Sequence, residues 1–266
     1  MKHIAIIGYG VVGKATARTI RKSHKVTLYD PSLDLNNPYE NADIIFICTP
    51  SENVQEYLKK LKDHKNVFVR STIPFHLVKD TNYAVWPEFL TERTAEHDSI
   101  NPKCNVVGAN IDQYNELLDV TIFNDYTLTT NVYAALMKLS TNIYFIQKVT
   151  FANMLYNICS TYGLEYDKLK DVLGADDRMW IHDHFDVPGP DGKLGWGGRC
   201  FPKNLDMMKT LVNGSDTHLV DFLQHYNNQQ REDQYQDWLT GYKEYMKAKE
   251  QDTMNTMVGV DIKEWL

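Results

Sequence analysis

The chain is poor in basic charge. Its 28 lysines and arginines are outnumbered by 35 acids, leaving a net charge of −7 and a pI near 5.7. A surface of that sign offers no field to draw in a nucleic-acid backbone or an anionic membrane, so a small-molecule partner fits better, with no nucleic acid and no membrane. Cysteine is scarce as well. Cys48, Cys104, Cys159 and Cys200 show no C-x-x-C pairing and no metal-ligand spacing, which argues against a disulfide framework or a bound metal and points to free thiols in a reducing, cytoplasmic setting. No apolar run approaches the ~20 residues that span a bilayer. Met1-Lys2-His3-Ile4 leads straight into a strand without a signal-peptide pattern, and internal repeats and low-complexity stretches are missing too.

What is present suits a globular protein. With 266 residues, 43% of them hydrophobic, the chain can bury a proper core in one large or two modest domains, at about one domain per 150 residues. Residues 3–7 are a short apolar, β-branched run. Gly8-Tyr9-Gly10-Val11-Val12-Gly13 follows, and residues 14–20 are helix-compatible. In this strand–turn–helix context Gly8 permits a tight turn, Gly10 lets the backbone approach a pyrophosphate, and Gly13 lets helix and strand pack closely. A second strand, residues 25–30, ends in Asp30, 17 residues after Gly13. An acid there accepts hydrogen bonds from a ribose 2′-hydroxyl and repels a 2′-phosphate, so the cofactor expected is NAD rather than NADP. The competing reading of Asp30 is an ordinary strand-end acid.

Residues 43–50 form a continuous apolar run typical of a buried parallel strand. The gap before it, residues 31–42, is too short for a helix-and-strand excursion. Residues 52–61 read as a helix, and residues 66–71 and 83–85 as strands. Strands alternating with helices predict an α/β fold, with a Rossmann-like, doubly wound parallel sheet over residues 1–130 whose ligands gather at strand C-termini. Thr49, Pro50, Ser71, Thr72 and Glu88 all fall at such ends. From residue 131 to 162 the pattern becomes one long helix without proline or glycine, opening a mainly helical domain, residues 131–266. A helix so long and so widely apolar is a domain spine or a dimer core, which predicts a homodimer. It carries Lys138 and Asn142 at i and i+4, on one face; a solvated face is the plainer alternative for that pair. Residues 167–173, 217–238 and 242–249 also read as helical.

The stretch Gly195-Trp196-Gly197-Gly198-Arg199-Cys200-Phe201-Pro202-Lys203-Asn204 sets one cysteine behind glycines that let the backbone bend sharply. Glycine turns opening a helix aim N–H groups and a positive helix end at the sulfur, which favours its reactive thiolate, and Lys203 adds charge nearby. The plainer alternative is a packed loop thiol.

Taken in order, Gly8-Tyr9-Gly10-Val11-Val12-Gly13, Ser71-Thr72-Ile73-Pro74, Pro87-Glu88-Phe89-Leu90 with Glu92, Lys138-x-x-x-Asn142, Asp177-Arg178 and Gly197-Gly198-x-Cys200-Phe201-Pro202-Lys203 resemble the landmarks of the nucleotide-sugar 6-dehydrogenases, the UDP-glucose and GDP-mannose dehydrogenase family. The resemblance implies a four-electron oxidation of alcohol to acid with NAD. In that family a lysine matching Lys138 stabilises the alkoxide, and a cysteine matching Cys200 forms the thiohemiacetal and thioester. A glutamate matching Glu92 activates water, with Glu88, Thr72 and Asn142 as positioning groups. By the same resemblance Phe89, Leu90, Arg178 and Gly197 belong with the substrate-binding set, and an arginine matching Arg178 reaches a neighbouring subunit's site. Family members carry an aspartate where this chain has Asn204, which cannot take a proton. They also continue into a second nucleotide-gripping domain, whereas 66 residues follow Cys200 here without another glycine fingerprint. Two other readings stay open: a β-hydroxyacid-type dehydrogenase, and a non-catalytic NAD-binding subunit or regulator partnering a homologue.

Overall fold

The computed structural model describes residues 1–91, 94–179, 183–198 and 200–231. The chain divides into two compact units, Met1–Thr141 and the part from Asn142 onward. The first is built on eight strands: β1 (His3–Ile7), β2 (Lys25–Asp30), β3 (Leu35–Asn36), β4 (Ile44–Ile47), β5 (Val67–Val69), β6 (Ala84–Val85), β7 (Val106–Gly108) and β8 (Thr127–Thr129), in the spatial order β3-β2-β1-β4-β5-β6-β7-β8. Its helices are α1 (Val11–Thr19), α2 (Ser51–Lys60), α3 (Ala95–Ile100), α4 (Ile111–Val120) and the first turns of α5 (Asn131–Tyr162).

Side-chain alternation explains why helices cover both faces of the sheet. Ala5 and Ile7 of β1 join Ile45 and Ile47 of β4 in one buried cluster with Val54 and Leu58 of α2. Ile4 and Ile6 join Ile44 and Phe46 in another, with Leu117 and Val120 of α4. Successive residues of a strand point to opposite faces, so a strand covered on both sides must be apolar throughout, and β4 is fully buried at all four positions. The register sets the functional edge. Ile7 lies opposite Tyr29 on one side and Ile47 on the other, both parallel, so β1, β2 and β4 end at one level.

The Rossmann-like fold expected from the sequence is present, with three refinements. The sheet is mixed, because β3 pairs antiparallel with β2, and β7 with β6. The four residues 31–34 between β2 and β3 are too few for the crossover that a parallel neighbour requires; Pro31–Leu33 form a 3-10 turn and Asp34, at φ 57, reverses the chain into β3. Helix α1 starts at Val11 rather than residue 14, with Lys14 N–H closing the first turn on the Gly10 carbonyl at 2.9 Å. The stretch from Ala95 to Thr129, without assignment in the sequence reading, holds α3, β7, α4 and β8. Helix α4 starts on a capping box, in which the Asn110 and Gln113 side chains satisfy each other's backbone N–H.

In the second unit the remainder of α5 is joined by α6 (Tyr166–Leu173), α7 (Phe201–Lys209) and α8 (Ser215–Gln230). Ala152, Cys159, Tyr166 and Phe185 form one buried cluster, and the Tyr166 hydroxyl donates to the Phe185 carbonyl at 2.7 Å. Of the helix expected over residues 217–238, the part after 231 lies outside the described residues, as does that over 242–249. Among the described residues no helix is long and apolar enough to cross a membrane, and no group of three or more His, Cys, Asp or Glu could hold a metal ion.

Candidate active site

The glycine turn between β1 and α1 is sterically specified at two of its three glycines. Gly8 sits at φ +88, where a Cβ would come within 2.9 Å of the Cys48 and Thr49 backbone; a Cβ on Gly13 would lie 2.0 Å from the Gly8 carbonyl oxygen. Gly10 differs: a Cβ there meets nothing within 4 Å. The two flanking glycines therefore shape the turn, and the middle one keeps open the space over the start of α1. That helix has no side-chain cap and no acid in its first turn, so its first N–H groups suit the phosphates of a dinucleotide. Val12 packs into the core beneath, while Val11 is 38% exposed.

Asp30, at the end of β2, holds this turn in place. Its Oδ2 accepts from Tyr9 N–H at 2.7 Å, and its Oδ1 accepts from Ser32 N–H at 3.1 Å and from the Ser32 hydroxyl at 2.6 Å. Burial alone would raise its pKa; the hydrogen bonds from Ser32 and Tyr9 outweigh that and bring it below the ordinary value. A carboxylate has about four lone-pair sites, so one stays open to a ribose hydroxyl. The residues thus fit a dinucleotide. Thr49 lies beyond the end of β4, buried, with its Oγ1 lacking a partner, and Pro50 N-caps α2. The Ser71 hydroxyl donates to the Thr49 carbonyl at 2.5 Å, and Thr72 stands half-buried beside it in the chain.

A second cluster of the first unit gathers Lys138, Glu88 and Phe89. Lys138 Nζ lies 3.4 Å from Glu88 Oε1 and 5.1 Å from the centre of the Phe89 ring, with side-chain exposures of 9% and 13% for the ion pair. Glu88 Oε2 also accepts from Leu90 N–H at 2.9 Å, which ties the carboxylate to its own loop. Lys138 is therefore a paired, buried cation rather than part of a solvated face. Glu92 lies outside the described residues.

Arg70 belongs to none of the sequence motifs. It follows the apolar strand β5 and is 5% exposed, donating to Thr16 Oγ1 and to the Trp86 carbonyl at 3.1 Å each, with its guanidinium 3.6 Å from the Trp86 ring centre. Burial lowers its pKa against the opposing pull of Cys48 and Glu88. A charge directly after three buried apolar residues was the available signal. It links α1 to the segment that carries Glu88, and with Glu88 and Phe89 it lines a small cavity.

In the second unit Cys200 is the exposed one of the four cysteines. It occupies the N-cap of α7. Asn204, 2% exposed, donates from both its backbone N–H, at 2.9 Å, and its Nδ2, at 2.5 Å, to the Cys200 carbonyl, while its Oδ1 is buried without a partner. By contrast Cys48 is buried, and burial pushes its thiol up to about 11; burial raises Cys104 as well. Asn142 is buried, and its Nδ2 has no partner. Arg178 points outward, with its side chain 90% exposed and bound to Asp176 at 2.6 and 2.8 Å. Gly197 lies under the Arg231 guanidinium, which a Cβ would meet at 2.9 Å.

Residues 133–229 match the central domain of the UDP-glucose/GDP-mannose dehydrogenase family. A UDP-glucose 6-dehydrogenase of Rickettsia felis is 29% identical over 217 residues, which is 70% of this chain and 46% of that protein; the chain spans about half the length of the curated relatives it matches. Two solved structures share the fold. A UDP-glucose dehydrogenase from Pyrobaculum islandicum superposes with TM-score 0.67 at 21% identity, covering 86% of this chain and 68% of its own. The Mycobacterium tuberculosis 3-hydroxyisobutyrate dehydrogenase gives 0.68 at 15%, covering 86% and 95%. The chain is a distant homologue of the UDP-glucose/GDP-mannose dehydrogenase family.

Proposed function

We propose that the protein is an NAD-dependent dehydrogenase that oxidises a nucleotide sugar from primary alcohol to carboxylate, in the manner of a UDP-glucose 6-dehydrogenase. The observation that carries this reading is Cys200, exposed at the head of α7 while Cys48 and Cys159 are buried. Gly8, Tyr9, Gly10, Val11, Val12, Gly13 and Asp30, with Thr49, Pro50 and Thr72 at neighbouring strand ends, form the cofactor site. NAD held there would supply the hydride acceptor for both oxidations. The Lys138 ammonium, aimed by Glu88, stabilises the alkoxide that forms as the alcohol gives up its proton to solvent. The Cys200 thiolate then adds to the aldehyde carbon, and the thiohemiacetal loses hydride to become a thioester. Water, activated by Glu92, attacks that carbonyl; the C–S bond breaks, the acid leaves and the thiol is restored. Asn142, Thr72 and Asn204 position these groups, Glu88, Phe89, Leu90 and Gly197 contact the substrate, and the outward-pointing Arg178 reaches the substrate of a neighbouring subunit.

On this reading residues 1–130 bind NAD and residues 131–266 supply the nucleophile and the dimer contact, and the enzyme works in the cytoplasm as a homodimer. Counting NADH per sugar nucleotide consumed tests the reaction. Two are expected. One would assign simple alcohol oxidation of the β-hydroxyacid type, and none with any sugar nucleotide would leave a cofactor-binding subunit.

A further inference from the structure

Three features of the second unit converge on the loop ahead of Cys200. Asn153, in the apolar middle of α5, is 2% exposed; its Nδ2 donates to the Val149 carbonyl and its Oδ1 accepts from Gly195 N–H, both at 2.8 Å. Asn227 of α8, 7% exposed, grips the next residue from both sides, since its Oδ1 accepts from Trp196 N–H at 2.7 Å and its Nδ2 donates to the Trp196 carbonyl at 3.0 Å. Trp196 is itself 3% exposed. Gly195 is at φ +71, and a Cβ there would sit 2.4 Å from the Asn227 oxygen, so the glycine is what admits the amide. Arg231, just beyond α8, closes over the same loop and pairs with Asp191 at 2.6 Å.

An amide buried in an apolar helix costs stability unless its hydrogen bonds are met. Both amides turn toward one loop, and that loop ends at the exposed thiol. Cys200 thus lies between two anchors at equal spacing in the chain: Trp196, four residues before, held by Asn227, and Asn204, four residues after, bonded to the Cys200 carbonyl. Between Trp196 and Cys200 the glycines Gly197 and Gly198 have no side chains of their own to hold the backbone, and Gly198 is at φ +85. Left to itself such a segment samples many conformations.

We infer that Asn153 and Asn227 are positioning residues for Cys200, setting the direction from which its sulfur meets an electrophile. The inference rests on the proposed role of Cys200 as a nucleophile. Asn227→Leu removes both bonds to Trp196 while keeping the number and branching of the side-chain heavy atoms. The rate of Cys200 alkylation by iodoacetamide, followed by peptide mapping between pH 6 and 10, is expected to change about tenfold or more at pH 7, with its pH profile moved, in a variant of unchanged circular dichroism. Gly195→Ala, which displaces the same amide, should reproduce that change. If Asn227→Leu does not fold, Asn153→Ala, which gives up a single bond to the loop, takes its place in the comparison. Folded variants whose alkylation rate and pH profile stay within twofold of wild type would overturn the inference, because a purely structural amide lowers the melting temperature without redirecting the thiol. With a sugar nucleotide and NAD, the variants should keep the first NADH per substrate and lose the second. Loss of both NADH in step would also overturn it. A wild-type enzyme that makes no NADH sinks the proposed reaction instead, and the alkylation profile still decides the clamp.

Discussion

A single methyl group separates two kinds of glycine in the β1–α1 turn. Gly13→Ala pushes a Cβ onto the Gly8 carbonyl, an overpacking expected to cost about 1–3 kcal/mol, which denaturant unfolding would read as a lower midpoint at constant slope. Gly10→Ala meets no protein atom and should leave stability within about 0.5 kcal/mol. Its effect should fall on the cofactor, with NAD affinity weakened about tenfold, roughly 1.4 kcal/mol. Asp30 yields a prediction with a sign. Its pKa in the fold lies below the ordinary 3.8, so the ionised carboxylate favours the folded state above that pH, and the benefit is lost as pH falls through the lowered value. The stability gap between wild type and Asp30→Asn should therefore be constant near neutrality and shrink below about pH 4. Calorimetry across pH 3 to 7 would show it, and the same variant should bind NADP nearly as well as NAD. Asn204 holds the Cys200 carbonyl but cannot act as a base. Wild-type protein given substrate and NAD should accumulate a mass adduct on the Cys200 peptide, and Asn204→Asp should speed turnover; no adduct and an unchanged rate would leave Glu92 as sufficient base.

Helix α5 carries more apolar surface than the described residues cover. Within the second unit Tyr144, Phe151, Met154, Ile158 and Tyr162 are exposed, at spacings of seven, three and four residues that keep them on one stripe. Apolar side chains exposed along one helix face mark an interaction surface, and a second copy of the chain is the partner that the long-helix reading proposes. Sedimentation velocity should give twice the chain mass, and Phe151→Asp with Ile158→Asp should give a folded monomer. A wild-type monomer at micromolar concentration would overturn the assignment. At this scale much was legible in the sequence. The bounds of β1, β2 and α5 follow from apolar periodicity and from the absence of proline and glycine between residues 131 and 162. Strands β3, β7 and β8, of two or three residues each, were not, because so short a strand carries no periodicity and exists only through its neighbours' hydrogen bonds.

For the whole molecule, cofactor binding should appear as stability. A ligand that binds only the folded chain stabilises it by about 2.7 kcal/mol at a hundredfold excess over its Kd, and for a domain of this size that corresponds to a rise in Tm of roughly 5 °C or more. NAD should give that shift in a thermal melt and NADP at equal concentration should not; equal shifts would remove Asp30 from the ribose role.

The sequence by itself determined the parts whose chemistry is local: the glycine turn between strand and helix, the acid at the end of the next strand, the long uninterrupted helix, and a cysteine behind glycines. Each depends on residues adjacent in the chain, where backbone sterics and periodicity act directly. Tertiary structure alone decided which side chains serve one another over long separations. Lys138 became the buried partner of Glu88, Arg70 came to lie on Trp86 while bonded to Thr16, and Asn153 and Asn227 turned to the loop before Cys200. Their sequence neighbours gave no hint of these partners, because a buried polar group is satisfied by whatever the packing brings within about 3 Å of it, however distant along the chain.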